Sequence, residues 1–311
     1  VRPQGQIEKR DSLEGSAFID FPVDQTVIYP GYRRNTAELG KIQSSIDSVR
    51  SDTDITITSV WLKGYASPES PYAHNQELAI GRTAALKKHI QQLYRFEGDV
   101  ITTDYEPEDW AGLRRYVERS NLGHREEIIA LIDGDLEPDA REWKIKSTYP
   151  EEYRFLLQNC YPALRRTDYR IAYTIRDYSD VEEIKRIMRE RPQKLSLNEF
   201  YLVAQEYEPG TDEFAEVFET AVRMFPDDTV ANLNAANAAM RRGDLTGAER
   251  YLAKTGDSPE AVYARGALAI RQKDYDGARR YLNEAKSLGL EQAAITLEQL
   301  GKNDINEYKY H

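Results

Sequence analysis

Few residues of this sequence have the types and spacing that catalytic or metal chemistry requires. The histidines show no metal-ligand spacing such as His-Glu-x-x-His; they are His74, His89, His124 and His311. Cys160 is the single cysteine and stands in an aromatic, Pro-flanked context without a neighbouring histidine, which predicts a buried packing thiol rather than a nucleophile. One cysteine permits neither an intrachain disulfide nor a cysteine-built metal site. These residues therefore give no indication of catalysis.

An acidic stretch at residues 133–139, Asp-Gly-Asp-Leu-Glu-Pro-Asp, invites comparison with a calcium loop. An EF-hand needs Gly at its sixth position and Glu at its twelfth, where this chain has Pro138 and Lys144. The stretch is therefore predicted to be a solvated acidic turn. The sequence also contains no Gly-x-Ser-x-Gly elbow, phosphate-binding loop or dinucleotide fingerprint. We expect no enzyme activity and no bound metal or cofactor.

The most informative polar residues follow a predicted strand and continue into the next helix. The strand and its loop read Leu-Lys-Gly-Tyr-Ala-Ser-Pro-Glu over residues 62–69. This stretch resembles the signature of the OmpA C-terminal domain family, in which a strand ending in Gly-(Tyr/His)-Thr-Asp precedes a loop and a helix with Asn, Leu and Arg. The residues that match at the family's spacings are Gly64, Asn75, Leu78 and Arg82, the last three lying 8, 11 and 15 residues after Ser67. The resemblance covers about residues 17–178.

In that family the domain binds the diaminopimelate side chain of peptidoglycan without reacting with it. The resemblance implies that Arg82 holds the ligand carboxylate bidentately, while Asn75 caps the helix and fixes the loop. The residues expected to contact peptidoglycan are Ser67, Glu69, Asn75, Leu78 and Arg82. Two simpler interpretations stay open: a surface Arg82 paired with Glu77 or Glu69, and an ordinary turn at residues 67–69.

The sequence departs from the family pattern in the loop that meets the ligand ammonium. Ser67 stands in the place of the family's Asp, and Ala66 in the place of its Thr. A neutral hydroxyl loses a charge-assisted contact of ~1.5–3 kcal/mol, roughly one to two decades in affinity. Glu69, two residues on, is expected to return a carboxylate to the site. The Gly-Tyr-Ala-Ser-Pro-Glu form resembles a variant in Bacteroidetes, where such proteins often accompany outer-membrane and fimbrial assembly genes.

Apolar spacing predicts the elements that position this loop. Strands are expected at residues 17–21, 55–62, 100–105 and 169–175, with helices from Asn35 and over residues 74–94. Residues 107–167 are predicted to form a helical insert before the last strand. This order indicates an α/β sandwich, in which a mixed sheet carries helices on one face. Residues 1–16 are polar and are expected to be a flexible lead-in.

From residues 182 to 311 the patterning is helical and repetitive. Residues 240–252 align with residues 270–282 at an offset of 30, with Gly247/Gly277 and Ala248/Ala278 among the identical pairs. The pattern resembles the tetratricopeptide repeat, whose small residues let paired helices approach closely. Ala236 and Gly266 occupy the family's small position in the first helix, and a more divergent unit covers about residues 196–228. We therefore predict an all-α tetratricopeptide-like domain after the OmpA-like domain of residues 17–178.

The first helices of these repeats are expected to line a concave face that binds an extended segment of a partner protein. The residues predicted to line it are Asn234, Asn237, Arg241, Arg265 and Arg271. The alternative is that these polar side chains only solvate an exposed helix face.

Charge and hydropathy exclude several classes of partner. Lys and Arg number 42 against 53 Asp and Glu, a net charge of −11 that is unfavourable for binding nucleic acid. No apolar run approaches the ~20 residues needed to span a bilayer. The sequence begins Val-Arg-Pro-Gln-Gly, without an initiator Met or a signal-peptide core, which suggests a trimmed chain. The resemblance implies a location at the periplasmic face of the outer membrane.

Two functions stay open from the sequence. In the first, a non-catalytic envelope protein contacts peptidoglycan weakly through its OmpA-like domain and presents the helical repeats to an envelope protein. In the second, the OmpA-like domain has lost peptidoglycan binding, and the chain is an interaction scaffold for outer-membrane or fimbrial assembly.

Overall fold

A computed structural model describes residues 8–308, with side-chain surroundings through residue 302, and the chain divides into two compact units. Residues 10–176 form a unit with a mixed four-stranded sheet and helices, and the unit from Asp177 onward consists of paired helices in its described part. The predicted order of an α/β region followed by an all-helical region is confirmed. No helix within residues 8–308 combines the length and apolar character needed to span a bilayer.

The sheet has the spatial order β1-β4-β2-β3. Its strands are β1 (Lys9–Ala17), β2 (Ile55–Tyr65), β3 (Ile101–Glu106) and β4 (Arg166–Ile175). Strand β2 is parallel to β3 and antiparallel to β4, with a register shift between Ile57 and Ser59. The helices of this unit are α1 (Asn35–Arg50), α2 (Tyr72–Tyr94), α3 (Trp110–Arg119), α4 (Arg125–Asp133), α5 (Pro138–Thr148), α6 (Pro150–Asn159) and α7 (Tyr161–Leu164).

Helices α1 and α2 share one hydrophobic core with the sheet. The predicted apolar stripe of α1 is confirmed, since Leu39, Ile42, Ile46 and Val49 are all buried. The other buried members of this core include Val60, Leu62, Leu86, Ile90 and Ile171. Each fully buried aliphatic side chain contributes about 1.5–3 kcal/mol to folding. This packing fixes α2, which is the helix that follows the β2 loop.

The first strand is earlier in the chain than predicted. Strand β1 covers Lys9–Ala17, so residues 9–16 are not a flexible lead-in, and residues 18–21 are not a strand. The prediction was wrong because β1 carries charged residues such as Arg10 and Glu14, and the sheet order places it at an edge, where charged side chains are tolerated. Residues 1–7 of the expected lead-in lie outside the described residues.

The helices predicted between the third and fourth strands are present, and they have a hydrophobic core of their own. Helices α3 to α7 occupy residues 110–164, and their buried apolar residues include Leu113, Ile128, Leu156 and Tyr161. Cys160 belongs to the same cluster, and burial raises the pKa of its thiol to about 12. The expectation of a packing cysteine is confirmed.

The helical unit consists of consecutive helices that pack against their neighbours. They are α8 (Val181–Glu190), α9 (Leu197–Ala204), α10 (Asp212–Met224), α11 (Thr229–Arg242), α12 (Leu245–Leu252), α13 (Pro259–Arg271), α14 (Tyr275–Ser287) and α15 (Glu291–Tyr308), with a short 3₁₀ helix at Pro192–Lys194. Helix α11 pairs with α12, and α13 pairs with α14. No strand occurs among residues 177–308.

The sequence offset of 30 corresponds to a repeated structural unit. Asp244 and Asp274 cap the second helices of the two pairs by accepting hydrogen bonds from the backbone N–H groups of Gly247 and Gly277, at 2.9 and 3.0 Å. Both glycines are buried, and a Cβ on either one would collide with the carboxylate that caps its helix. The repeated Asp-x-x-Gly therefore encodes a helix start.

Small residues also set how closely the paired helices approach. Ala236, Ala248 and Ala278 are fully buried. A Cβ added to Gly266 of α13 would lie 2.9 Å from the Leu282 side chain of α14. Glycine at this position therefore permits the close packing of α13 on α14.

Candidate functional site

Backbone hydrogen bonds join the loops that follow β2 and β3 at one edge of the sheet. The strands are parallel, so their carboxyl ends meet there. The backbone N–H of Ala66 donates to the Glu106 carbonyl at 3.2 Å, and that of Asp109 donates to the Ala66 carbonyl at 3.0 Å. The connection at residues 66–71, which contains the predicted turn at residues 67–69, thus lies against the residues that precede α3.

Asn75 is the centre of a polar network that holds this loop. Its side-chain NH2 contacts the carbonyls of Ser67 and Ser70, at 3.2 and 2.8 Å, and a Glu108 carboxylate oxygen at 2.8 Å. The predicted role in fixing the loop agrees with these contacts. The predicted role as helix cap is wrong, because α2 begins at Tyr72 with Pro71 as its N-cap residue, and Asn75 lies inside the first turn.

Glu108 joins this network from the loop that follows β3. Its side chain is almost fully buried and accepts hydrogen bonds from Asn75 and from the Trp110 indole N–H at 3.1 Å. Burial raises the pKa of this carboxyl group to about 7, against the two hydrogen bonds, which favour the ionised form; nearby Asp139 and Glu142 raise it further. The Glu108 carboxyl group therefore titrates near neutral pH. It is also the group that holds the loop, through its hydrogen bond with Asn75.

Ser67 and Glu69 lie together in the loop. Ser67 is buried, and its hydroxyl is 3.5 Å from a carboxylate oxygen of Glu69. Glu69 forms an ion pair with Arg165 at 3.1 Å, and both side chains are more than 40% exposed. Glu69 therefore lies beside Ser67, and it already has a cationic partner.

Arg82 extends from α2 toward the segment that connects β1 with α1. Its Nε donates to the Gln25 carbonyl at 3.2 Å, and its guanidinium carbon is 4.9 Å from the centre of the Phe21 ring. Burial lowers the pKa of Arg82, and the positive charge of Arg165 lowers it further. Arg165 and Arg82 thus act on each other electrostatically.

The simpler interpretation of Arg82 as half of a surface ion pair does not match the structure. Among residues 8–302, no carboxylate forms an ion pair with Arg82, and Glu69 is paired with Arg165 instead. Asp24, which acts on Arg82 at longer range, is hydrogen-bonded to His74 at 2.8 Å. Arg82 is therefore a half-buried cation without a carboxylate partner in this part of the chain.

Buried Asn35 shapes the segment that covers Arg82. Its side chain exchanges hydrogen bonds with the backbone of Asp20, at 2.7 and 2.9 Å, and donates to the Tyr29 carbonyl at 2.9 Å. These bonds tie together the two ends of the segment that carries Phe21 and Gln25. The contacts of Arg82 consequently depend on a side chain at the start of α1.

The structure brings some of the predicted site residues together but not all. Ser67, Glu69 and Asn75 share one loop network, whereas Arg82 donates to Gln25, and the like charge of Arg165 contributes to lowering its pKa. Leu78 is half-buried; the core face of α2 is formed by Ala79, Thr83, Leu86 and Ile90. Sequence reasoning missed Glu108 and Arg165 as site residues, although both lie in stretches that mark the insert.

The acidic stretch at residues 133–139 has a structural partner. Asp133 ends α4 and forms a bidentate pair with Arg114, at 2.8 and 3.0 Å. The ion pair thus ties the turn to α3. The sequence pattern predicts a turn that is only solvated. Within the described residues, no group of three or more His, Cys, Asp or Glu side chains has the arrangement of a metal site.

The predicted partner-binding residues of the repeats differ in exposure. Asn234 is buried and lines a small pocket with Phe200 and Phe218, so it does not line an open groove as predicted. Arg265 is held by Asp257 at 3.0 Å and by the Gly256 carbonyl. The side chains of Asn234 and Arg265 are therefore engaged by contacts within the helical unit.

The other three residues of the predicted groove are more accessible. Asn237 is half-buried in α11, while Arg241 and Arg271 are exposed in the last turns of α11 and α13. Cations at helix C-termini also interact favourably with the helix dipole. Arg241 and Arg271 are therefore the members of the predicted set that remain available to a partner.

Comparison of the chain with protein-family models and with curated proteins finds no match.

Proposed function

We propose that the chain is a non-catalytic cell-envelope protein that binds the diaminopimelate stem peptide of peptidoglycan through an OmpA-like α/β domain. The observation that carries this proposal is Arg82, a half-buried cation without a carboxylate partner among residues 8–302. It stands on the helix that follows a loop whose own carboxylate, Glu69, is held by a second arginine. Arg82 and Arg165 would bind the ligand carboxylate, and Glu69 would bind its ammonium.

The ion pair between Glu69 and Arg165 does not prevent this arrangement. Both side chains are more than 40% exposed, and an exposed ion pair contributes only about 0–1 kcal/mol. A ligand with one ammonium and one carboxylate would replace this pair by two charge-assisted contacts. The pair can therefore open for a zwitterionic ligand at low cost.

The surroundings of the motif support the OmpA-like assignment. A Cβ on Gly64 of β2 would collide with the hydroxyl of Thr83 on α2, so the strand and the helix meet where the motif has its glycine. Helices α1 and α2 share one core with the mixed sheet, and helices α3 to α7 precede β4. This is the arrangement that the resemblance implies.

Calorimetry with a diaminopimelate muropeptide tests the proposal. We expect weak binding by the parent chain, no binding by Arg82→Ala, and binding by Ser67→Asp that is stronger by about a decade because a charge-assisted contact is restored. Lys88→Ala, an exposed position on the same helix, is the matched control and should bind like the parent. A muropeptide with lysine in place of diaminopimelate lacks the second carboxylate and should not bind.

The repeats are proposed to be a tetratricopeptide-like scaffold for a second envelope protein at the periplasmic face of the outer membrane. Two observations support this: the pairing of α11 with α12 and of α13 with α14, and the exposed Arg241 and Arg271 at corresponding positions. This part of the proposal does not depend on peptidoglycan binding.

A second candidate function is favoured by the contacts that close the site. Ser67 is buried, Glu69 is neutralised by Arg165, and Arg82 is covered by Phe21 and Gln25. In this alternative the domain has lost peptidoglycan binding, and the chain is an interaction scaffold for outer-membrane or fimbrial assembly. Absence of heat with the parent chain, without rescue by Ser67→Asp, would select this function.

A further inference from the structure

The α/β unit contains a cavity of about 590 Å³ that is lined by neither Arg82 nor Ser67 nor Glu69, although Asp109, whose backbone N–H holds the β2 loop, belongs to its lining. It lies between the end of β1, helix α3 and the segment of α7 that leads into β4. The lining residues that matter for its chemistry are Phe18, Arg115, Tyr116, Arg119, Ala163 and Leu164. Its volume is within the range of small-molecule pockets, about 300–1,000 Å³.

The rim of this cavity carries uncompensated positive charge. Arg115 and Arg119 are four residues apart on α3, so their side chains are neighbours on one helix face. Both are exposed, and no carboxylate of residues 8–302 pairs with either. Glu118, which could neutralise them, forms its ion pair with Arg114. Two free guanidinium groups therefore face the cavity of a chain whose net charge is −11.

The third arginine of the cavity, Arg166, is committed to the protein. It contacts Asp109 at 2.7 Å and Asp168 at 3.0 Å, and its guanidinium carbon is 4.0 Å from the centre of the Tyr65 ring. The charge of Arg166 is thus satisfied within the protein. A ligand would meet Arg115 and Arg119 first.

The walls offer an apolar surface beside these cations. Phe18 is 37% exposed and lines the cavity, and its backbone N–H donates to Glu38 at 3.0 Å. Tyr116 and Leu164 add further apolar area, and buried Cys160 contributes to the floor. An apolar group that covers this wall binds favourably, because both apolar surfaces are removed from water.

We propose that this cavity binds an organic anion with an apolar body. A carboxylate or phosphate would lie between Arg115 and Arg119, whose planar guanidinium groups suit such oxyanions. The apolar body would pack on Phe18, Tyr116 and Leu164. The same chemistry is carried by a free small molecule and by a peptide that ends in an aromatic residue with a free carboxylate.

Calorimetry with phenyl phosphate tests the site in the full chain. We expect binding that weakens at least tenfold in Arg115→Gln and in Arg119→Gln, because each loses a charge-assisted contact. Arg154→Gln removes the same charge from an exposed position on α6 outside the cavity, and it should change the affinity less than twofold. Ala163→Trp should abolish binding with both arginines intact, because the indole fills the cavity.

Two half-ligands and two peptides refine the assignment. Inorganic phosphate and phenol each offer half of the proposed contacts and should bind at least tenfold more weakly than phenyl phosphate. A short peptide ending in Phe should bind better with a free carboxylate than as its amide. Tighter binding of this peptide than of phenyl phosphate would identify a protein terminus as the ligand, and the opposite order would identify a free small molecule.

The proposal is overturned if phenyl phosphate does not bind at millimolar concentration. It is equally overturned if Arg154→Gln weakens binding as much as the two cavity variants do. Arg82→Ala should leave phenyl phosphate binding unchanged, so this site can stand or fall independently of peptidoglycan binding.

Discussion

Three buried polar side chains of the helical unit are satisfied locally, whereas the buried polar cluster at the sheet edge of the α/β unit is satisfied at long range. Thr220 donates to the carbonyl of Glu216, and Thr255 to that of Leu252. Asn232 donates to two carbonyls no more than six residues away. Each of these groups serves one helix end or one turn, so it can be removed without unsettling the others.

In the α/β unit, a connected cluster of buried polar groups lies at the sheet edge. Asn75 joins Ser67 to Glu108 across 33 residues of sequence, and Asp109 reaches Arg166 across 57. Fully satisfied networks of this kind rigidify a region, whereas partly broken ones are costly. These groups of the helical unit shape helices and turns, whereas the cluster of the α/β unit holds together the loops that follow β2 and β3.

The largest effect should come from removing the same helix cap in the two units. Asp109 caps α3 as Asp274 caps α14, but the Asp109 side chain is 4% exposed and paired with Arg166. Asp109→Ala should lower the free energy of unfolding of the α/β unit by about 3–5 kcal/mol, because a buried cation loses its partner. Retention of Asp168 beside Arg166 favours the lower end. Asp274→Ala should cost about 0.5–2 kcal/mol.

Urea unfolding separates the two measurements within one chain. All three tryptophans, Trp61, Trp110 and Trp143, are in the α/β unit, so their fluorescence follows that unit alone. Circular dichroism follows the helices of both units. Equal losses in the two variants would show that Asp109 is only a cap and would break the comparison.

The next effect concerns pH and should be confined to the connected cluster. The pKa of Glu108 is raised by burial from its ordinary value of 4.5 to about 7, so the folded state retains a proton that the unfolded state has lost. The contribution of Glu108 to stability is therefore complete below about pH 4.5 and is lost as the pH rises to about 7. The loss should be on the order of 3 kcal/mol.

Glu108→Gln tests this effect because an amide does not titrate. Tryptophan-monitored unfolding between pH 5 and pH 8 should show a smaller decline in this variant than in the parent. Asn232→Ala, in the helical unit, should leave the pH dependence of the same signal unchanged. Parallel curves for the parent and Glu108→Gln would mean that Glu108 ionises without cost.

A smaller effect is expected where the helical unit depends on a missing side chain. Gly266→Leu should lower stability by about 1–3 kcal/mol, because its Cβ alone would lie 2.9 Å from Leu282. Gly301→Leu is the control, since a Cβ there meets no atom within 4 Å, and it should gain a few tenths to 1 kcal/mol in helix propensity. The amplitude-weighted midpoint of the circular dichroism transition reports both. Destabilisation by Gly301→Leu as well would indicate a general intolerance of the helices to bulk.

How much the sequence could predict follows the same division between local and long-range contacts. The stripe Leu39, Ile42, Ile46 and Val49 and the repeated Gly247 and Gly277 were readable because their spacing expresses helix geometry directly. Strand β1 was not, because an edge strand with charged side chains lacks the apolar signal used to find strands. Strand β1 joins the sheet by pairing with β4, which lies about 150 residues later in the sequence.

The candidate site divides in the same way. The loop and Arg82 were found from a spacing within 20 residues of sequence. Glu108 and Arg165 come from the two ends of the helical insert, and nothing in their local sequence indicates that folding brings them to Asn75 and Glu69. A search for acidic and basic residues flanking an insert between strands would have proposed both.

The smallest effect on stability should come from the exposed arginines of the repeats, and there function should respond instead. Reversing charge at Arg241 and Arg271 together should cost no more than about 1–2 kcal/mol, since each interacts with a helix C-terminus at the surface. Arg250 and Arg280 form the matched pair on the second helices, with the same offset of 30 residues, and they are also exposed. If the first helices carry the partner surface, the first double variant should lose partner protein in a pull-down from envelope extract, while the second retains it. Equal recovery by both would return Arg241 and Arg271 to a purely solvating role. The helical unit would then have to bind its partner, if it has one, through another face.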